Sequence, residues 1–305
     1  ELLPFNEYAK MFNEDQEKFN RESILEINFR NGDTSGYFWY GEGSQYGLIA
    51  ALCFQNASGD VEAAGWGNIF FHDANIKRFN GDPRLDIAAL RPGTPVIMNG
   101  QQTQVLKYKD TEADIQGWSM RKYNPLKSTV NELNLGVGIN MYLMRLADVY
   151  LMYAEACLGN NSTLSDGRGL YFFNRVRERA KINKKSSITL DDIIRERRVE
   201  FGMEYSNWYD MVTWFRYLPD KMLNYFNNQW RGYRTDAIIK DEDGKLHFGK
   251  YDTDGTTFLE GPEYYTAPEF TINIEAEDIF LPYPESDVIQ NPLLNEPPVP
   301  YTFNE

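Results

Sequence analysis

The most regular stretch of the chain, residues 139–217, decides what it can fold into. "INMYLMRLADVYLMYAEACLGN" (139–160) sets Leu143, Leu146, Ala147, Tyr150, Ala154, Cys157 and Leu158 on one stripe at helical spacing. Gly159 and Asn160 supply a stop. "DGRGLYFFNRVRERAKI" (166–182) is predicted as a second amphipathic helix. Thr189 opens a third, with Asp192 completing a capping box in which Asp stands where Glu is usual. Three helices with short joins predict a small antiparallel bundle or a tetratricopeptide-like stack.

The third helix runs into "IIRERRVEFGMEYSNWYDMVTWF" (193–215), which holds seven charged residues and a set of large aromatics. Arg197, Glu200 and Glu204 are spaced by three and by four, and Glu196 stands four before Glu200. Arginine interleaved with glutamate predicts a network of ion pairs in a scaffold, because a phosphate-binding stripe has no use for so many carboxylates. The formal net charge of −14 points the same way. It excludes general nucleic-acid binding, which needs attraction to phosphate, and adhesion to anionic lipid. Trp208 and Trp214 are expected to wedge this helix against its neighbours.

Outside this block the pattern is shorter-ranged. "LPFNEYAKMF" (3–12) predicts one short helix, and "RESILEINFRN" (21–31) alternates like a strand. Residues 32–66 are rich in Gly, Ser and aromatics and predict long loops. A turn is expected at Asn80–Gly81–Asp82–Pro83, and short strands and loops over 91–137. Residues 224–276 are loop-rich, with hairpin turns expected at Asp243–Gly244 and Asp254–Gly255. The proline-rich end (280–301) is expected to lie extended on the surface, with too many prolines for a helix. The expectation is one unit over 1–305: scaffold helices at about 139–217, and loop-rich ligand faces at about 30–120 and 217–277.

Few residues carry chemistry. His72 and His247 have no paired spacing and the two cysteines lie far apart, so a zinc site is not expected. Placing Gly244 or Gly255 at the sixth position of a calcium loop puts Ile239 and Lys250, or Lys250 and Gly261, at the loop ends, where oxygen ligands are required. The glycines of "GEGSQYG" (41–47) do not fit a dinucleotide fingerprint, and there is no phosphate-binding loop motif, GxSxG or HExxH. A glycosidase pair of carboxylates stays open as an alternative, although 45 acidic residues make any two uninformative. Cys157 is expected to be a small core residue, and two cysteines do not decide the redox compartment. The longest apolar run, 46–54, is too short to span a bilayer.

The aromatics in irregular sequence stand apart. Tyr37, Phe38, Trp39, Tyr40, Tyr46 and Trp66 have no amphipathic pattern to bury them, and Trp118, Trp230 and Tyr233 are similar. Exposed rings stack on sugars or other flat groups, with neighbouring Asn, Asp, Gln and Arg as orienting partners.

"GWGNIFF" (65–71) with "GDPRL" (81–85), "YLMRLADVYLMYAEACL" (142–158), "FNRVRERAKI" (173–182), "IIRERRVEFGMEYSNWYDMVTW" (193–214) and "FLPYPESDVIQNPLL" (280–294) resemble, in order, the C-terminal part of the SusD/RagB family, and "ESILEINF" (22–29) resembles the segment before them. Tyr205, Asn207 and the ending "NEPPVPY" (295–301) depart from the family pattern. The resemblance implies a mainly α, tetratricopeptide-like scaffold with long irregular loops and a few short strands. It implies non-catalytic capture of glycan, or in some members peptide, at the cell surface. Delivery is then to a SusC-like TonB-dependent transporter in the outer membrane. No cofactor, metal or nucleic acid is implied. Membrane attachment comes through a lipidated N-terminus that this chain, read as a C-terminal portion, lacks. By position, Trp39, Tyr40 and Trp66 fall at or near the family's glycan-binding aromatics.

Overall fold

The computed structural model describes residues 1–13, 15–30, 53–55, 61–63, 70–71, 73–90, 95–98, 101–105, 118–123, 138–229, 237–240, 242–243, 245–251, 257–260 and 272–296. Two compact units divide the chain: Glu1–Trp208 with Trp230–Glu269, and Tyr209–Gln229 with Phe270–Glu305.

The first unit opens with α1 (Phe5–Tyr8), extended by a 3-10 turn at Ala9–Phe12, as the sequence predicts for 3–12. Strand β1 (Ser23–Ile27) follows, again as predicted. The expected loop region 32–66 contains two strands, β2 (Cys53–Gln55) and β3 (Val61–Ala63). They join β6 (Pro95–Met98) and β7 (Gln101–Val105) in an antiparallel sheet of order β3-β2-β7-β6. Three residues per strand are too few for alternation to show in the sequence. Between these strands come β4 (Phe70–Phe71), α2 (Asp73–Ile76), α3 (Leu85–Ala88) and β5 (Ala89–Leu90). The predicted turn precedes α3, and Gly81 takes a φ of +73° that favours glycine. Strand β8 (Trp118–Met120) is sandwiched between β4 and β5.

The predicted helix over 139–160 is in fact two elements. Residues Met141–Arg145 form strand β9, antiparallel to β1, and only Leu146–Leu158 is helical (α4). Leu143, placed on the buried stripe by helical spacing, is exposed. The backbone ladder with β1 overrides the local period. The Leu146 N–H also donates to the Glu22 carbonyl at 2.8 Å, anchoring the strand-to-helix junction. The second helix, α5 (Gly167–Arg179), matches its prediction. So does the start of α6 (Leu190–Glu200): the Thr189 hydroxyl accepts from the Asp192 N–H at 3.3 Å, and the Thr189 N–H donates to the Asp192 carboxylate at 3.0 Å. These three helices are the tetratricopeptide-like scaffold. Ala147, Leu151, Ala154 and Leu158 of α4 pack with Phe173 and Val176 of α5 and Ile193 of α6.

The charged stretch is not one helix. It ends at Glu200, turns over 201–205 and restarts as α7 (Ser206–Phe215). Met203 and Tyr205 sit at φ +66° and +67°, a left-handed conformation that no helix continues through. Beyond it, Pro219–Asn227 forms α8 with proline in its first turn, where a missing N–H costs nothing. The 237–260 region is an antiparallel meander of β10 (Ala237–Lys240), β11 (Leu246–Tyr251) and β12 (Phe258–Glu260), so both expected hairpin connections join paired neighbours.

In the second unit, the Asn227 side chain exchanges two hydrogen bonds with the Ile274 backbone, at 3.0 and 2.6 Å. Phe215 meets Phe280 at 6.2 Å between ring centres. The tail is not wholly extended: α9 (Glu285–Gln290) forms between Pro284 and Pro292. Proline just before a helix and just after it is compatible with six helical residues between them.

The α4–α5 contact is close. Gly169 lies on the buried side of α5, and a Cβ there would stand 2.5 Å from Cys157 Cβ and 2.8 Å from Leu164 Cδ2. Cys157 is half-buried, more open than the core position expected of it. Gly169→Ala is expected to destabilise the chain by about 1–3 kcal/mol through overpacking, despite alanine's better helix propensity. Urea denaturation checks this; a variant as stable as the parent would refute the close approach.

Candidate functional site

The densest polar arrangement among the described residues is a buried charge network around α6. Arg145, at the junction of β9 and α4, uses all five of its N–H groups. Its Nη1 donates to Glu22 Oε1 at 2.9 Å and to Glu200 Oε1 at 2.6 Å. Its Nε reaches Glu204 Oε2 at 2.8 Å, and Nη2 reaches Glu204 Oε1 at 2.9 Å and the Glu200 carbonyl at 3.0 Å. Arg179 from α5 bonds the same Glu22 and Glu200 carboxylates. Arg84 grips Asp82 bidentately and pairs with Glu200 at 2.9 Å and Glu196 at 2.7 Å. Lys122 pairs with Glu204 at 2.5 Å and donates to the Glu200 carbonyl at 2.9 Å. The Tyr8 hydroxyl donates to that same carbonyl at 3.1 Å, and its ring lies 3.7 Å under the Arg179 guanidinium.

The expected ion-pair network is therefore present, with different partners. Arg197 reaches Asp148 of α4 at 2.7 Å. The glutamates of α6 and the following turn are met by cations from remote segments. Burial alone would raise the Glu200 pKa, but Arg179, Arg145, Arg84 and Lys122 outweigh it and hold the carboxyl well below the usual range. Burial lowers the Lys122 pKa, with Glu204 opposing. Burial and Glu200 push the Tyr8 phenol well above its ordinary value. Protein cations occupy these carboxylates. Among the described residues no group of three or more His, Cys, Asp or Glu could hold a metal. No described helix is long and apolar enough to cross a membrane.

The SusD family model matches residues 21–299. The chain belongs to the SusD family. A SusD-like protein of Bacteroides ovatus is 97% identical over 167 residues, a match that covers 55% of this chain and 31% of that protein. A crystal structure with xylogluco-oligosaccharide is 56% identical with a TM-score of 0.71, covering 98% of this chain and 58% of that one. A laminarin-binding SusD-like protein is 27% identical with a TM-score of 0.51, covering 72% of this chain and 48% of that one. The chain thus spans well under two thirds of the length of these relatives.

On this SusD scaffold the aromatics named from the sequence divide. Trp39, Tyr40 and Trp66 lie outside the described residues, as do Tyr37, Phe38, Tyr46, Trp230 and Tyr233. By sequence, Trp66 falls between β3 and β4, and Trp39 and Tyr40 between β1 and β2. Trp118, grouped with the loop aromatics, is 1% exposed and packs in the core with Phe71, Phe79 and Val199. Its short strand between β4 and β5 was illegible, so nothing marked it as a core position. Trp214 is buried as expected, but Trp208 is 47% exposed rather than wedged.

Two outcomes follow for the network. Glu200→Gln leaves the surrounding cations undercompensated, with an expected loss of about 3–5 kcal/mol in denaturant melts. Acid should act in the same direction. A carboxyl with a depressed folded pKa stabilises above its unfolded value of about 4.3, and that stability drains away as pH falls through the folded value. Stability followed from pH 6 to below pH 4 should therefore fall steeply in the parent and less in Glu200→Gln.

Proposed function

We propose that this chain captures oligosaccharide at the cell surface without catalysis and passes it to a SusC-like TonB-dependent transporter in the outer membrane. The observation that carries the glycan reading is the 56% identity over 98% of the chain to a structure solved with xylogluco-oligosaccharide. A xylogluco-oligosaccharide is accordingly the ligand class to try first. The laminarin-binding relative, at lower identity, makes laminarin-type glucans the natural comparison. Transporter delivery and outer-membrane placement rest on the family resemblance.

The proposed contact residues are Trp39, Tyr40 and Trp66. Pyranose rings present apolar C–H faces that stack on aromatic rings, while their hydroxyls need polar partners at the edges. Each stacked ring contributes about 0.5–1.5 kcal/mol beyond its buried area. Single alanine substitutions should therefore weaken binding roughly two- to tenfold. Isothermal titration with xylogluco-oligosaccharide and with laminarihexaose measures both affinity and preference. Unchanged affinity after all three substitutions would reject the site, and release of shorter products would reject the non-catalytic reading.

A further inference from the structure

The turn between α2 and α3 holds a reactive pair of residues. Three Asn–Gly pairs occur in the chain, at Asn31–Gly32, Asn80–Gly81 and Asn99–Gly100, and the middle one lies within the described residues. Asn80 sits at φ −56° and ψ 117°, and Gly81 at φ +73°. The Asp82 N–H donates to the Phe79 carbonyl at 2.8 Å, which makes this a type II turn. Both central residues are exposed. Among the described residues the Gly81 N–H meets no acceptor, and a Cβ built on Gly81 would find nothing within 4 Å. The nitrogen that follows Asn80 is therefore neither bonded nor shielded there. Glycine also permits the backbone rotation that brings this nitrogen to the Asn80 side chain.

Asparagine is chemically labile, and this arrangement opens one reaction that needs only water. Hydroxide takes the Gly81 N–H proton, and the nitrogen bonds to Asn80 Cγ. The Cγ–Nδ2 bond breaks, and ammonia leaves with its third hydrogen from water, which regenerates hydroxide. One water then opens the five-membered imide. Cleavage of the new bond gives aspartate. Cleavage of the original peptide bond gives isoaspartate, whose main chain runs through Cβ and Cγ and is one carbon longer. Either route takes in water and releases ammonia.

The turn is held at both ends, so the added carbon has consequences. On one side Phe79 is buried in the core with Phe71 and Trp118. On the other, Asp82 accepts from the Arg84 backbone N–H at 3.0 Å, from Nε at 3.0 Å and from Nη2 at 2.7 Å. Arg84 in turn reaches Glu200 at 2.9 Å. We propose that Asn80 is a site of spontaneous deamidation, and that its isoaspartate form draws Asp82 away from Arg84 and loosens the buried charge network. This stands independently of which glycan is bound.

The test incubates the 305-residue chain at mildly alkaline and at mildly acid pH. Peptide mapping by mass spectrometry locates the modification, and enzymatic methylation of isoaspartate tells the two products apart. Alkaline incubation should convert Asn80 roughly tenfold faster than the exposed Asn161, whose successor Ser162 carries a Cβ. The aged chain should melt about 2–4 °C lower. Asn80→Gln, whose longer side chain closes a ring far more slowly, should keep its melting temperature through the same incubation. An Asn80 that stays intact overturns the proposal, and Asn31 and Asn99 show on the same map that the conditions drive the reaction. Isoaspartate at Asn80 with an unchanged melting temperature overturns it too, as does an aged Asn80→Gln chain that loses as much as the aged parent. Asn80→Asp adds the charge without the extra carbon and should melt with the unaged parent. If it melts as low as the aged chain, charge and not backbone length is responsible, and the proposal fails.

Discussion

Arg145 makes the central demand on the first unit. A guanidinium buried without compensation costs several kcal/mol, so the carboxylates that surround it have to arrive together. Glu22 comes from the turn before β1, Glu200 from the last residue of α6, and Glu204 from the irregular turn beyond it. Several backbone features follow from that requirement. Strand β1 must lie beside β9, α6 must end where it does, and residues 201–205 must bend back instead of extending the helix. The left-handed Met203 and Tyr205 make that bend, and Phe201 closes over Arg145 with its ring 4.4 Å from the guanidinium carbon. The amino-terminal segment is drawn in by the same cluster: the Leu3 N–H donates to Glu22 and the Tyr8 hydroxyl to the Glu200 carbonyl.

Such a cluster contributes position more than net stability. Well-packed apolar residues of similar volume often do as well as a buried ion pair, yet removing one member of the pair is costly. The network therefore penalises misplacement of segments that a hydrophobic core alone would tolerate. Tyr8, Arg84, Lys122, Arg145 and Arg179 come from separate segments and all hydrogen-bond Glu200, while Glu22 joins them through Arg145 and Arg179 and accepts from the Leu3 N–H.

Legibility in the sequence tracked the range of the interactions involved. The Thr189–Asp192 cap is a three-residue contact and was readable, as were the helix over 166–182 and the alternation of β1. The presence of an ion network was readable from interleaved Arg and Glu, but its partners were not, since Arg84, Lys122 and Arg145 sit in segments with no charge pattern pointing at α6. Strand β9 was hidden because "MYLMR" fits a helical stripe as readily as a strand. Only its pairing with β1, more than a hundred residues earlier, decides between them. The helix between Pro284 and Pro292 is compatible with the proline-rich composition because the prolines flank it and none falls inside it. Trp39, Tyr40 and Trp66 share with Trp118 a lack of any burying pattern in the sequence, yet the core takes Trp118 in.

Trp118 shows that a ring without a burying pattern in the sequence can still be core. A tryptophan in irregular sequence is exposed only if no remote element covers it, and coverage is a tertiary property. Trp118 is covered because β4 and β5 flank its strand and α6 contributes Val199 behind it. The same logic applies in reverse to α4. Its outer row looks like core by composition and is exposed in this chain. Composition and burial thus disagree at both places, in opposite senses. In the first the remote element lies within these 305 residues. In the second, Val149, Met152 and Tyr153 are exposed although they are as apolar as the row that packs against α5 and α6.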